Sequence, residues 1–319
     1  MKILVMALNG VFDTGLATVL DAFQTANELA AMSGMAAPRF EVRIVGLRAK
    51  VMTSQGLSVP VHRVSKASPD CVVVPAIGYK MPEPLEQALT TTEVQDAAAQ
   101  LRLWGEQGAT LAAACVGTFV MAESGLLDKR HATTTWWLSP LFRKRYPSVL
   151  LEESHMVVKS GRVVTAGAAL SHMDLALWLI RQESPKLASL TAKYLIVDSR
   201  PTQSAYTLTD HLIHSDPLVE RFENWARGQL ANGFSLDEAA RAAATSKRTL
   251  ARRLHEVLGK SPLSYFQNLR VERAVHLLKT TNESVEQIAE RVGYADGVTL
   301  RVLLRKTLGQ GIKEIRRAA

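Results

Sequence analysis

The feature that most constrains this chain is a pattern that occurs twice near its end. Ser235-Leu-Asp-Glu238 reads as a capping box, and Ser284-Val-Glu-Gln287 repeats it 49 residues later. In such a box the Ser hydroxyl accepts the third helical N–H and the acidic or amide side chain reaches back to the Ser N–H. Each box opens a short helix, expected over 236–243 and 285–292. Each helix meets a tight break, Ala244-Thr245-Ser246 or Gly293-Tyr294, and each break leads into a basic helix, 247–258 or 297–308. Ser261-Pro262 starts a longer helix joining the two units, with proline at the one helical position that tolerates it. Two short helices at an angle, the second basic, make a helix-turn-helix. Residues 215–319 are therefore expected to form an all-helical module with two such units.

Charge supports a polyanionic partner for this module. Residues 1–215 carry 20 Lys+Arg against 18 Asp+Glu, whereas residues 235–319 carry 16 against 9. A basic segment behind a near-neutral one points to a polyanion, with nucleic acid the first candidate, double-stranded DNA given the helix-turn-helix pattern, and an anionic membrane surface the competitor. Helical periodicity assigns the faces. Leu250, Leu254 and Val257 form an inward stripe, which leaves Arg248, Ala251, Arg252 and His255 to face a groove. Likewise Leu300, Leu303, Leu304 and Leu308 turn inward, and Val298, Arg301, Val302 and Arg305 outward. Arginine reads guanine in a bidentate manner and valine contacts the thymine methyl. Lys247, Arg253 and Lys306 are expected on phosphates, which position the protein without specifying sequence. Thr249 joins them at the start of the first basic helix.

Over about 234–317, SLDEAARAAATSKRTLARRL, GKSPLSYFQNLRVERAVHLL and SVEQIAERVGY resemble the AraC/XylS family of transcription regulators. The resemblance implies two helix-turn-helix units reading adjacent major-groove segments on one DNA face, with RNA polymerase as the expected protein partner. The last helix departs from the family pattern. Leu300 and Leu304 stand where aromatics are usual, Gln310-Gly311 replaces the usual Ser-Pro, and Gly297 and Val298 replace polar readers. The second unit is therefore expected to contribute less base specificity than the first.

The first 195 residues read differently. Short apolar runs at 2–8, 40–45, 71–75 and 110–115 alternate with helical patterns at 15–32, 92–107 and 117–127. This alternation predicts an α/β domain, a mainly parallel sheet flanked by helices. A hairpin is expected over 156–165 with its turn at Lys159-Ser-Gly161, then helices over 168–181 and 185–195. Residues 196–214 are polar, contain Pro201 and lack a period, and so read as a linker. The longest apolar runs fall far short of the roughly 20 residues of a membrane helix. The opening MKILVMALNG reads as strand and turn, not as a signal peptide. Two cysteines, Cys71 and Cys115, are too few for a disulfide framework or a Cys-based zinc site. A cytoplasmic protein with no membrane partner, metal or cofactor is expected.

Cys115 sits where a strand turns sharply into a helix, with Ala113 and Gly117 two residues to either side. A nucleophile elbow needs small neighbours there because its backbone is crowded. The helix N-terminus is expected to favour the thiolate. The stretch 113–127 followed by Ala132-Thr-Thr-Thr-Trp136 resembles the PfpI/ThiJ superfamily, the glutamine-amidotransferase-like fold, loosely over residues 1–195. Both positions where a His is usual carry other residues, Val116 and Thr135. Asp13 matches an acidic position of some hydratases, so a weak Cys115–Asp13 dyad is the enzymatic alternative, a Cys-dependent hydratase or amidase carrying a DNA-binding domain. The preferred expectation is a sensor. Asp13, Gly78, Cys115, Val116, Trp136 and Trp137 would line a pocket at the C-terminal edge of the sheet, where open α/β sheets bind ligands. Trp faces beside a carboxylate suit a cationic effector such as an amine or amino-acid derivative. The resemblance also implies a homodimer.

Overall fold

In a computed structural model of the protein, residues 1–64, 69–197, 216–308 and 311–317 are described. They belong to two compact units, Met1–Gln203 and Ser204–Ala319. The first runs β1 (Lys2–Met6), α1 (Asp13–Met32), β2 (Glu41–Gly46), β3 (Val51–Met52), β4 (Ser58–Val59), β5 (His62–Arg63), β6 (Cys71–Val74), α2 (Pro82–Leu89), α3 (Thr92–Glu106), β7 (Thr110–Ala114), α4 (Gly117–Glu123), β8 (His131–Ala132), α5 (Ser139–Arg145), β9 (Leu150–Leu151), β10 (Val157–Ser160), β11 (Val163–Ala166), α6 (Ser171–Glu183) and α7 (Pro185–Tyr194).

Seven strands form one sheet in the order β10-β11-β7-β6-β1-β2-β5. Every neighbouring pair is parallel except the β10–β11 hairpin. Alternate strand residues feed two cores, as period-2 geometry requires. Val72, Val74, Leu111 and Ala113 pack with Leu89, Leu101, Trp104 and Phe119 from α2–α4. Ile3, Val5, Val73 and Ala112 pack with Val19, Phe23, Leu179 and Leu187 from α1, α6 and α7. Helices cover both faces, which is why β6 reads Cys-Val-Val-Val with no polar alternation.

Several expected boundaries move for identifiable reasons. Cys115 leaves β7 because it adopts φ +54°. Gly125, at φ +75°, follows the end of α4 at Glu123, and Ala168, at φ +68°, delays the start of α6 to Ser171. In the hairpin Ser160 faces Val163, so the turn is Gly161-Arg162, with Gly161 at φ +64°. Helices α2 and α5 and the two-residue strands carried too few periodic positions to be read from sequence.

The second unit is helical: α8 (Pro217–Gly228), α9 (Leu236–Ala242), α10 (Lys247–Leu258), α11 (Pro262–Thr280), α12 (Val285–Arg291), α13 (Gly297–Leu308) and α14 (Ile312–Arg317). At Ser284 the capping box is reciprocal: the Gln287 N–H donates to the Ser284 hydroxyl at 3.2 Å, and the Ser284 N–H donates to Gln287 Oε1 at 2.8 Å. At Ser235 the forward bond from the Glu238 N–H is present at 3.4 Å, without the return bond among the described residues. The breaks are made by left-handed residues, Ala244 at φ +53° and Gly293 at φ +78°. Each helix-turn-helix has its own core, one around Phe222, Leu250, Leu254 and Phe266 and one around Leu277, Ile288, Leu300 and Leu304. The expected linker falls almost wholly outside the described residues, as does Gln310.

Candidate functional site

The elbow is assembled by backbone contacts. Its left-handed conformation is uncommon for a residue with a side chain. Three bonds hold it: the Cys115 N–H donates to Ala166 O at 2.7 Å, and Cys115 O accepts the Thr134 hydroxyl at 2.9 Å and the Thr118 N–H at 3.2 Å. A Cβ on Gly117 would lie 2.3 Å from Val74 O and 2.7 Å from Pro75 O, so α4 approaches the end of β6 as closely as only glycine permits.

Cys115 is 3% exposed, and burial pushes its thiol up to about 12, against a smaller opposing contribution from the Val116 N–H. The thiolate expected from the helix N-terminus is therefore not favoured: α4 has only seven residues, and desolvation of the charge outweighs its dipole. Native protein is expected to resist iodoacetamide at pH 7.5, with a thiolate fraction roughly a thousandfold below that of free cysteine. Cys115 labelling at the rate of a small thiol, read by mass spectrometry, would contradict this environment.

Asp13 opens α1. Its Oδ2 accepts the Ser54 hydroxyl at 2.8 Å and the Gln55 N–H at 3.1 Å. Desolvation opposes its charge, but hydrogen bonds from Ser54 and the backbone outweigh it and hold the carboxyl below the usual carboxylate range. Gly78 belongs to the same cluster. Its N–H donates to Gly10 O at 2.7 Å, and a Cβ there would lie 2.3 Å from Ser54 Cβ. These bonds commit the Asp13 Oδ2 to the β3–β4 turn, so it is not paired with Cys115 as the enzymatic alternative would need.

Val116 is buried. Trp136 and Trp137 are half-buried, with ring centroids 5.5 Å apart at 81°. Trp137 packs on the core and its Nε1 donates to Lys80 O at 3.2 Å, tying the pair to the loop after β6. Sequence reasoning passed over Thr133, Thr134 and Thr135 except as the place of an absent His. All three are fully buried, and the Thr133 N–H donates to Thr165 Oγ1 at 2.7 Å. Among the described residues, three buried polar atoms at these chain turns have no hydrogen-bond partner: Asp13 Oδ1, Thr118 Oγ1 and Thr135 Oγ1.

Three histidines of the first unit, His131, His155 and His172, make their contacts elsewhere. His172 is fully buried, and its Nε2 accepts the Ala76 N–H at 3.0 Å while Nδ1 lies 2.9 Å from Ala169 O. Burial lowers its pKa to about 4, so the ring is neutral with its proton on Nδ1. His131 and His155 approach Glu152 at 2.5 and 3.3 Å. None of these bonds reaches Cys115.

On the basic helices Arg248, Arg252 and His255 are exposed opposite buried Leu250, Leu254 and Val257. Thr249 is half-buried, its N–H on the Ser246 hydroxyl at 3.2 Å. On α13, Val298 and Val302 are 63% and 64% exposed, and Arg301, Arg305 and Lys306 are exposed beside them. Leu300 and Leu304 are buried, whereas Leu303 and Leu308 are half-buried. Surface carboxylates hold some of the cations: Lys247 with Asp237 at 2.6 Å, Arg252 with Glu256 at 2.7 Å and Arg301 with Glu286 at 2.9 Å. Exposed pairs of this kind are screened by solvent and add little to stability. Arg253 differs, because it binds the buried carboxylate of Asp216, which also caps α8 through the Leu218 and Val219 N–H groups. It braces α10 against α8, while the side chain stays exposed on the helix surface.

The DJ-1/PfpI family model matches residues 1–182, and a helix-turn-helix domain model matches residues 239–318. The HTH-type transcriptional regulator CdhR of Pseudomonas aeruginosa is 31% identical over 217 residues, 66% of this chain and 62% of CdhR. The HTH-type transcriptional regulator GbdR of the same species is 26% identical over 286 residues, 88% of this chain and 74% of GbdR. The match to CdhR thus spans less than two thirds of that relative. Among solved structures, an AraC family transcriptional regulator from Pseudomonas putida superposes with a TM-score of 0.51 at 18% identity, over 61% of this chain and 98% of the other, a likeness of fold. The parallel sheet with its elbow and the paired helix-turn-helix units have one reading: the chain belongs to the DJ-1/PfpI family and carries an AraC-type helix-turn-helix domain at its C-terminal end.

Proposed function

We propose that the chain is a ligand-responsive transcription regulator, acting as a cytoplasmic homodimer and not as a catalyst. Residues 1–195 sense a small molecule, 196–214 link, and 215–319 bind specific double-stranded DNA and meet RNA polymerase. The observation that carries this reading is the duplicated helix–break–basic helix, with Arg248 and Arg252 exposed on α10 and Arg305 and Lys306 on α13. The sensor assignment is supported by the elbow. A buried, protonated Cys115 with neither Asp13 Oδ2 nor His172 bonded to it is poorly suited to turnover, whereas Asp13 Oδ1, Thr118 Oγ1 and Thr135 Oγ1, unpartnered among the described residues, offer bonds to a ligand. Gly78, Cys115, Val116, Trp136 and Trp137 are the proposed lining. An ionised Asp13 and two half-buried indoles favour a cationic effector such as an amine or amino-acid derivative.

The test of DNA readout starts from a duplex enriched by the full chain out of a randomised pool. Arg252→Ala is expected to cost about 1–3 kcal/mol on that duplex and to relax the preference at one position. Lys306→Ala is expected to weaken all duplexes alike and to flatten the salt dependence by about one unit of slope. Failure of the wild type to enrich any sequence would remove the regulator reading. For the sensor, a thermal-shift screen of the full chain with amines and amino acids is expected to give a hit that Asp13→Asn weakens.

A further inference from the structure

We propose that Arg270 sets the distance and angle between the two DNA-reading helices, and through them the half-site spacing this regulator accepts; the proposal rests on the DNA-binding reading above. The two helix-turn-helix cores are separate, and α11 passes from one to the other. Phe266 and Leu269 belong to the first core, Val271 and Ala274 to the second. Arg270 stands at the crossing. Its guanidinium carbon lies 4.8 Å from the ring centroid of Phe266, in the first core, and 5.1 Å from that of Tyr294, in the break between α12 and α13. Its Nε donates to Leu230 O, beyond the end of α8, at 2.9 Å. Among the described residues no carboxylate pairs with it, so its planar cation is given over to two rings and one carbonyl belonging to both halves.

Gly293 is the matching piece. It takes φ +78°, and a Cβ there would lie 2.3 Å from Arg270 Nη2 and 2.4 Å from Leu230 O. The turn of the second helix-turn-helix is thus pressed against the backbone of the first, with the guanidinium filling the seam. A single helix joining two small cores bends and twists; a stacked, hydrogen-bonded arginine removes that freedom on one side. Two helices entering successive major-groove segments must be spaced by about one helical turn, roughly 34 Å or 10 base pairs, so loss of the clamp misplaces one of them. Lysine is a poor substitute, because it lacks the planar face that stacks on both rings and the Nε–H aimed at Leu230 O.

The test uses the full chain and the duplex enriched by the wild type, together with derivatives that gain or lose one or two base pairs between the half-sites. Wild type is expected to lose about tenfold or more in affinity per spacing change, comparable to a mismatched base pair. Arg270→Met, which keeps the aliphatic stem, is expected to lose less than about threefold across the same series, and Arg270→Lys to fall between. A loss of stability alone would weaken every spacing equally and leave these ratios unchanged. A second readout is independent of DNA: spin labels at Arg241→Cys and Glu290→Cys, both exposed, report the distance between α9 and α12. The wild-type background is expected to give one narrow distance and Arg270→Met a broad one. Wild-type spacing ratios and an unchanged distance in Arg270→Met would overturn the proposal. If the wild type enriches no duplex, the regulator reading fails and the spin-label distance alone decides the role of Arg270. If Arg270→Met does not fold, Arg270→Lys carries both readouts with the same two outcomes.

Discussion

Gly117→Ala is expected to cost the first unit about 3 kcal/mol or more, near the upper end of point-substitution effects, because the added methyl meets backbone and not a side chain. The carbonyl oxygens of Val74 and Pro75, 2.3 and 2.7 Å from the new Cβ, are the end of a strand paired on both sides. They move only if β6 or α4 moves. In contrast, Gly228→Ala in α8 meets open space and is expected to be neutral or to stabilise by up to about 1 kcal/mol, the helix preference of alanine over glycine. Urea unfolding followed by circular dichroism separates the two. A Gly117→Ala midpoint close to wild type would mean that the elbow relaxes more easily than its geometry implies.

The second large effect is a pH dependence centred on His172. The unfolded imidazole titrates near 6.5, whereas burial lowers the folded pKa to about 4. Between those values the unfolded chain binds a proton that the folded chain refuses, so stability falls as pH drops. The contribution is complete above about pH 6.5 and lost by about pH 4, roughly 3 kcal/mol over the window. His172→Gln is expected to be less stable at pH 7, since the ring fills the space against Gly15, whose added Cβ would lie 2.5 Å from Nε2. Its stability should nevertheless change much less between pH 6.5 and 4.5. Asp13, Glu123 and Asp216, whose carboxyls are held below their ordinary range, lose their contributions at lower pH in both proteins and cancel in the difference. Parallel pH profiles for wild type and His172→Gln would show that the buried ring is protonated without penalty.

The chemistry of the elbow shows where sequence reading stops. Its backbone was legible: a strand ending in Ala113-Ala114, a residue at the turn, and Gly117 two positions on describe a crowded bend, which the structure places against Val74 and Pro75. The state of the thiol was not legible, because a helix N-terminus pulls its pKa down and burial pushes it up, and only three-dimensional packing states how much water remains. The same holds for Arg253. By periodicity it is one more cation on a basic helix, and its commitment to Asp216, 37 residues away in sequence, depends on how α8 lies across α10.

What the sequence determined by itself is local and periodic. Alternating short apolar runs and amphipathic stretches are enough for a parallel sheet between helices, and Ser caps, tight breaks and leucine stripes are enough for two helix-turn-helix units. Each of these signals acts within a few residues along the chain, through hydrogen bonds and faces that repeat every 2 or 3.6 positions. Tertiary structure alone decided which turns meet. Asp13 Oδ2 binds Ser54 and not Cys115, His172 closes onto Ala76, the Thr134 hydroxyl holds the elbow at Cys115 O, and Arg270 joins two cores across Gly293. Those contacts link distant residues whose neighbours in sequence say nothing about each other. They exist because close packing leaves each buried polar group a small set of partners, and the fold as a whole chooses among them.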